Sequence, residues 1–153
     1  MARANSLYDA LFDSNDEMYV VSNVYDQRLK KKGLFPKIVK NQKVLKSITS
    51  YPIINPYLEE DEPEEDRKAN RMILKCRKKD LNKNMIRKYL DSEVAELFFI
   101  NINKELIYYI YDSRGSDLVS AKSKTIQPYY ERFNDRVLDY DREKIDKVFK
   151  DDY

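Results

Sequence analysis

Histidine is absent from all 153 residues. With it goes the side chain that titrates near neutral pH and the commonest metal ligand. Ser-His-Asp and Cys-His catalytic arrangements are excluded, as are histidine-based zinc sites. Glycine is nearly absent, with Gly33 and Gly115 alone in the chain. Walker-type and Gly-x-Gly-x-x-Gly loops need more than two, so backbone phosphate cradles are excluded as well. Any catalysis would fall to carboxylates, alone or with a hard cation such as magnesium. One cysteine, Cys76, rules out an internal disulfide and fits a reducing cytoplasm. No run reaches the roughly 18–20 apolar residues of a membrane span. Residues 1–5 lack the apolar core of a secretory signal. The expectation is a cytoplasmic chain with no membrane partner, no cofactor and no metal.

What is present is charge. Charged residues make up 37% of the chain and apolar ones 42%, with a net charge of +2. Such a chain forms about one domain with a real core and a heavily charged surface. Leu7, Leu11 and Phe12 predict a short helix capped by Ser6. Residues 18–25, rich in β-branched and aromatic side chains, read as a strand. A basic loop at 30–33 precedes a helix expected from Pro36 to about Leu45. Pro52, Pro56 and Pro63 then mark a proline-containing acidic loop over 51–66, solvated and mobile. Residues 72–77 read as an edge-like strand able to pair with a second copy. Asn82 caps a helix burying Met85, Ile86, Tyr89 and Leu90. The clearest hairpin spans about 96–111, two apolar runs around Asn103-Lys104, and belongs centrally in the sheet. A short strand at 118–121 follows. Two helices close the chain, about 125–133 and 141–150, the latter capped by Asp141 with Ile145, Val148 and Phe149 inward. The sum is one α+β domain over 1–153, a mostly antiparallel sheet covered by helices.

The apolar run at 106–111 ends in Tyr111, Asp112, Ser113, Arg114, Gly115, Ser116 and Asp117. Two acids, a guanidinium and a glycine on one turn can form a carboxylate site for a metal. They can equally form a latch: Asp112 closes an Asx-turn, Gly115 supplies a positive φ, and Arg114 forks onto Asp139 or Asp141. Downstream come Tyr129, Tyr130 and Glu131, then Leu138, Asp139, Tyr140, Asp141 and Arg142. The turn and this segment together resemble a bacterial domain-of-unknown-function family with a Tyr-Asp-Asp-Arg-Gly-x-Asp signature followed by Leu-Asp-Tyr-Asp-Arg. The resemblance covers 97–149 and, more weakly, 3–25, and Ser113 stands where the family has its second acid. Members of that family tend to be longer at the N-terminus. The family is similar to proteins described as prophage or DNA-binding and occurs near genes for polymorphic toxins.

Charge is segregated along the chain. Arg28, Lys30, Lys31, Lys32, Lys37, Lys40, Lys43 and Lys46 are uninterrupted by any acid, and residues 67–88 hold ten cations against Asp80 alone. These segments could neutralise phosphates. Lys37, Lys40 and Lys43 would share one helical face. Against them stands the run Glu59, Glu60, Asp61, Glu62, Glu64, Glu65 and Asp66, which could screen its own lysines or meet a basic partner. Cys76, between Lys75 and Arg77, is either a thiol of lowered pKa or a small buried hydrophobe.

Three functions follow. The first is a non-enzymatic protein-binding protein, an immunity-type inhibitor that occludes a bacterial toxin. There the seven acids steer association, Tyr129, Tyr130 and Tyr140 make contact, and Asp112 and Arg114 assist. The second is a nucleic-acid-binding accessory protein using the lysines. The third is a metal-dependent hydrolase on Asp112, Asp117, Asp139 and Asp141, which requires those carboxylates to converge.

Overall fold

The structure, a computed structural model, describes residues 2–25, 33–92 and 96–150. Its centre is β1 (Glu17–Val24), whose β-branched and aromatic residues favour extended backbone. It pairs with β3 (Lys68–Arg77) on one side and β4 (Glu96–Asn101) on the other. Outside β3 lies β2 (Thr49–Ile54), and beyond β4 follow β5 (Leu106–Ile110) and β6 (Ser116–Ser120). The result is a six-stranded antiparallel sheet in the order β2-β3-β1-β4-β5-β6. Helices α1 (Ala2–Leu11), α2 (Phe35–Ile38), α3 (Glu64–Arg67), α4 (Met85–Leu90), α5 (Ser123–Arg132) and α6 (Asp139–Lys150) complete a single α+β fold.

Alternation along each strand gives the sheet two unlike faces. Met18, Val20, Leu74, Cys76, Leu97, Phe99, Tyr108 and Ile110 point to the helices and form the core. Tyr8 of α1 and Phe12 just after it close on Phe99 with ring centroids 4.9 and 6.1 Å away. Met85, Ile86 and Tyr89 of α4 enter the same core, and the Tyr89 hydroxyl donates to the Ile110 carbonyl at 2.9 Å. The intervening residues of the same strands form the other face and stay outside that core.

The hairpin at 96–111, the strand after it and the inward face of α4 lie where the pattern places them. Elsewhere the structure corrects the expectations. α1 starts before Ser6, whose hydroxyl donates back to the Arg3 carbonyl instead of capping. Residues 36–45 are not one helix: α2 ends at Ile38 because Val39 extends to bridge Leu81, and a 3-10 turn, Gln42–Ser47, follows. Lys37 and Lys40 therefore share no helical face. Pro52 sits in the edge strand β2, where a missing N–H is tolerated, so the acidic loop begins only after Ile54. Residues 64–66 open a single helical turn. β3 is a ten-residue strand paired with β1 on one side and with β2 over residues 68–73 on the other. The expected edge therefore shrinks to residues 74–77, where the 3-10 turn lies alongside and Ser47 binds the Lys75 carbonyl. Asn82 binds the Lys37 carbonyl while Asn84 precedes α4. α6 starts at Asp139 and turns Val148 outward at 53% exposure, with Phe149 buried. The basic loop at 30–32 lies outside the described residues.

Candidate functional site

The face turned away from the helices is arranged in cross-strand rows. The first row is Lys75, Tyr19, Ile100, Ile107 and Val119, each directly opposite the next. The second runs Thr49, Ile73, Val21, Phe98, Tyr109 and Asp117. The third is Tyr51, Arg71, Asn23 and Glu96. The rows thus grade from aliphatic, through aromatic, to polar.

Glu96 organises the polar row. It is buried, and a buried carboxylate must be hydrogen-bonded. Oε2 accepts from the Tyr25 hydroxyl at 2.6 Å and from Asn23 Nδ2. Oε1 accepts from the Tyr57 hydroxyl at 2.7 Å and from Tyr109 at 3.4 Å. Arg71 Nε donates to Asn23 Oδ1 at 3.0 Å and so ties a guanidinium into the network. Burial alone would raise the Glu96 pKa, but the donors Tyr25, Asn23, Tyr57 and Tyr109 outweigh it and hold the carboxyl below its ordinary value. Burial and the same carboxylate push the Tyr109 phenol up to about 12. A carboxylate with four donors in place and a lowered pKa stays ionised and is poorly suited to proton transfer. Its effect is mechanical: Tyr57, on the loop after β2, is pinned across the sheet to β4, with its ring edge-on to Tyr25 at 5.4 Å. The acidic run begins two residues later. None of Asn23, Tyr25, Tyr57, Arg71, Glu96 and Tyr109 was among the site residues expected from the sequence. The available signal was Asn23 and Glu96 as polar residues flanking the apolar runs 18–21 and 97–100.

Glu59, Glu60, Asp61, Glu62, Glu64, Glu65 and Asp66 are all exposed. Among the described residues none forms an ion pair, so the run does not fold back onto the cations described there. Several cations of 67–88 are engaged elsewhere. Lys75 meets Glu17 at 2.8 Å, and Lys78 meets Asp9 at 2.9 Å while donating to the Phe12 carbonyl. Cys76 is buried, and burial followed by the nearby Asp80 pushes its thiol up to about 12, the opposite of activation.

The signature turn is a latch closed within itself. Asp112 Oδ1 accepts the Arg114 N–H at 2.6 Å in an Asx-turn, and Oδ2 accepts Arg114 Nε at 2.8 Å. The guanidinium therefore binds its own turn, not Asp139 or Asp141. Gly115 is needed for space, not for a positive φ, since the Tyr111 hydroxyl lies where a Cβ would stand. Asp117 has its pKa raised by burial and then by Asp141. Arg142 donates to Asn134 and to the Val137 carbonyl at 2.9 Å, and more loosely to the exposed Asp139. Among the described residues no three acids converge to hold a metal, so Asp112, Asp117, Asp139 and Asp141 do not form the expected cluster.

Tyr129 packs against the core, and Tyr130 stacks on Phe149 at 4.2 Å while donating to Asp146 at 2.6 Å. Tyr140 is 90% exposed. These tyrosines lie on α5 and α6, and α5 packs beside the edge strand β6. The acidic run follows β2 at the opposite edge, although Tyr57 just before it reaches across to β4.

A family model described as a domain of unknown function (DUF3885) matches residues 1–141. The chain belongs to this domain family. It is also similar to a protein of Bacillus subtilis (strain 168) described as "Uncharacterized protein YnaE", with 28% identity over 152 residues, covering 88% of this chain and 71% of that one. No solved structure matches. No helix among the described residues is long and apolar enough to cross a membrane.

Proposed function

We propose that this chain is a non-catalytic cytoplasmic binding protein for a basic protein, acting by occlusion as an immunity-type inhibitor of a bacterial toxin does. The observation that carries the reading is the acidic run at 59–66, seven exposed acids free of ion pairs among the described residues and rooted at a pinned tyrosine. Unneutralised like charges focus a field that steers an oppositely charged partner and fixes its orientation. The immunity-type form draws on the resemblance to a family found near toxin genes. The nucleic-acid alternative has less support, because Lys75, Lys78 and Arg71 already serve partners within the fold.

The test is affinity capture from a bacterial lysate after nuclease treatment, at low and moderate salt. It compares the wild-type chain with a variant carrying Glu→Gln and Asp→Asn throughout 59–66. The expected outcome is one stoichiometric basic protein, retained by the wild type and lost by the variant. Equal capture by both chains, or recovery of nucleic acid alone, overturns the reading.

A further inference from the structure

The acidic run explains attraction but supplies no apolar area, and slow dissociation needs buried anchors. We infer that the sheet face turned away from the helices, open over its aliphatic row, is the docking surface for the partner. Its occupant is a polypeptide segment with lysine or arginine at one end and an aliphatic side chain about 20 Å away. This inference rests on the reading of 59–66 as the element that attracts a basic partner.

The occupant's length follows from the strand. Glu96, beside the root of the acidic loop, and Ile102, the first residue past β4, are six residues apart along a nearly extended run, or about 20 Å. The aliphatic end is a shallow hollow of about 310 Å³ lined chiefly by Ile100, Ile102, Ile107 and Val119. Ile102 is 63% exposed and Val119 51%. Singly exposed apolar side chains are ordinary. Here, however, the row Ile100, Ile107 and Val119 is contiguous over three strands, and it continues into Phe98 stacked on Tyr109 at 4.3 Å. A continuous apolar patch with a polar rim marks an interaction surface.

The rim decides the sign of the occupant. Lys75 pairs with Glu17 at one end of the aliphatic row, and Glu105 pairs with Lys122 at 2.6 Å near the other. Those charges cancel and Arg71 is tied to Asn23, so among the described residues the run at 59–66 is the largest group of unpaired charge of one sign near the face. A second copy of the chain fits poorly, because among the described residues its face offers the acidic run no cluster of cations: Lys75 is paired with Glu17 and Arg71 is tied to Asn23. Single-stranded nucleic acid would find stacking surfaces in Tyr19, Phe98 and Tyr109, but its phosphates would meet the same acids.

The experiment uses the nitrogen-15-labelled 153-residue chain and two synthetic peptides of equal charge. Each carries a lysine cluster and a serine spacer long enough to reach about 20 Å, and is made in both chain directions. One ends in a leucine pair, the other in serines. Both should shift the amides of 59–66. The leucine peptide alone should shift those of Ile100, Ile107 and Val119, and should bind about tenfold tighter. Val119→Asp, on an exposed edge position, should reduce it to the serine peptide's affinity with the remaining spectrum unchanged. Equal affinities with shifts confined to 59–66 overturn this inference and leave the acidic reading standing. No binding by either peptide removes both. Displacement of the leucine peptide by oligothymidylate from the sheet face assigns that face to nucleic acid and overturns the inference.

Discussion

Phe98 and Phe99 are neighbours in β4, yet they live in different molecules as far as packing is concerned. Phe99 is fully buried among Tyr8, Phe12 and Tyr108, under the helices. Phe98 lies on Tyr109, half-buried, on a face that the helices leave alone. The covered face is continuous in its apolar character, while the uncovered one is graded from aliphatic to ionic. The difference teaches that stability and recognition are divided between alternate residues of the same strands. Substitutions one position apart should therefore separate them.

Phe99→Ala tests the covered side and should cost about 3–5 kcal/mol in denaturant unfolding, because the cavity is enclosed. Phe98→Ala should cost only about 1–2 kcal/mol, having less area to lose. Equal losses would erase the distinction between the faces. Next in size is Glu96→Gln, which disrupts a full set of donors and should cost about 1–3 kcal/mol. Its pH dependence sharpens the point. The folded pKa of Glu96 lies below the unfolded value, so its contribution is complete above about pH 4.3. That contribution is lost as pH falls through the folded value. The stability gap between wild type and Glu96→Gln should shrink over that acid range, read as midpoints of thermal unfolding. Gly115→Ala should displace the Tyr111 ring and cost about 1 kcal/mol, visible as altered Tyr111 ring resonances. Smallest of all, neutralising 59–66 should change stability by under about 0.5 kcal/mol while slowing association with a basic partner at low salt.

Much of the covered face was legible before the structure. Two apolar runs around Asn103-Lys104 can hardly be anything but a hairpin, and Met85, Ile86 and Tyr89 keep helical spacing into the core. The uncovered face was the source of error. Arg71, Lys75 and Arg77 alternate with Met72, Leu74 and Cys76, which made an inner strand read as an edge. The charges belong to the open side and say nothing of the neighbours. Helix length at 36–45 failed because a single bridge, Val39 with Leu81, outweighs local propensity. The exposure of the acidic run was legible, since seven acids among eight residues leave almost nothing to bury. The Glu96 network was not, because its donors at 23, 25, 57 and 109 lie 13 to 73 residues away and no local spacing relates them.

Those same separations bear on the order in which the chain becomes competent. Asn23 comes from β1, Tyr25 follows it, Tyr57 arrives through the loop after β2, and Tyr109 belongs to β5. The carboxylate of Glu96 therefore acquires its full shell only when strands from both halves of the sheet have met, and contacts so distant in sequence form late. Until then Tyr57 is untethered and the acids behind it have no fixed bearing. The pin thus acts as a completion signal, giving the charged loop its orientation only on a finished sheet.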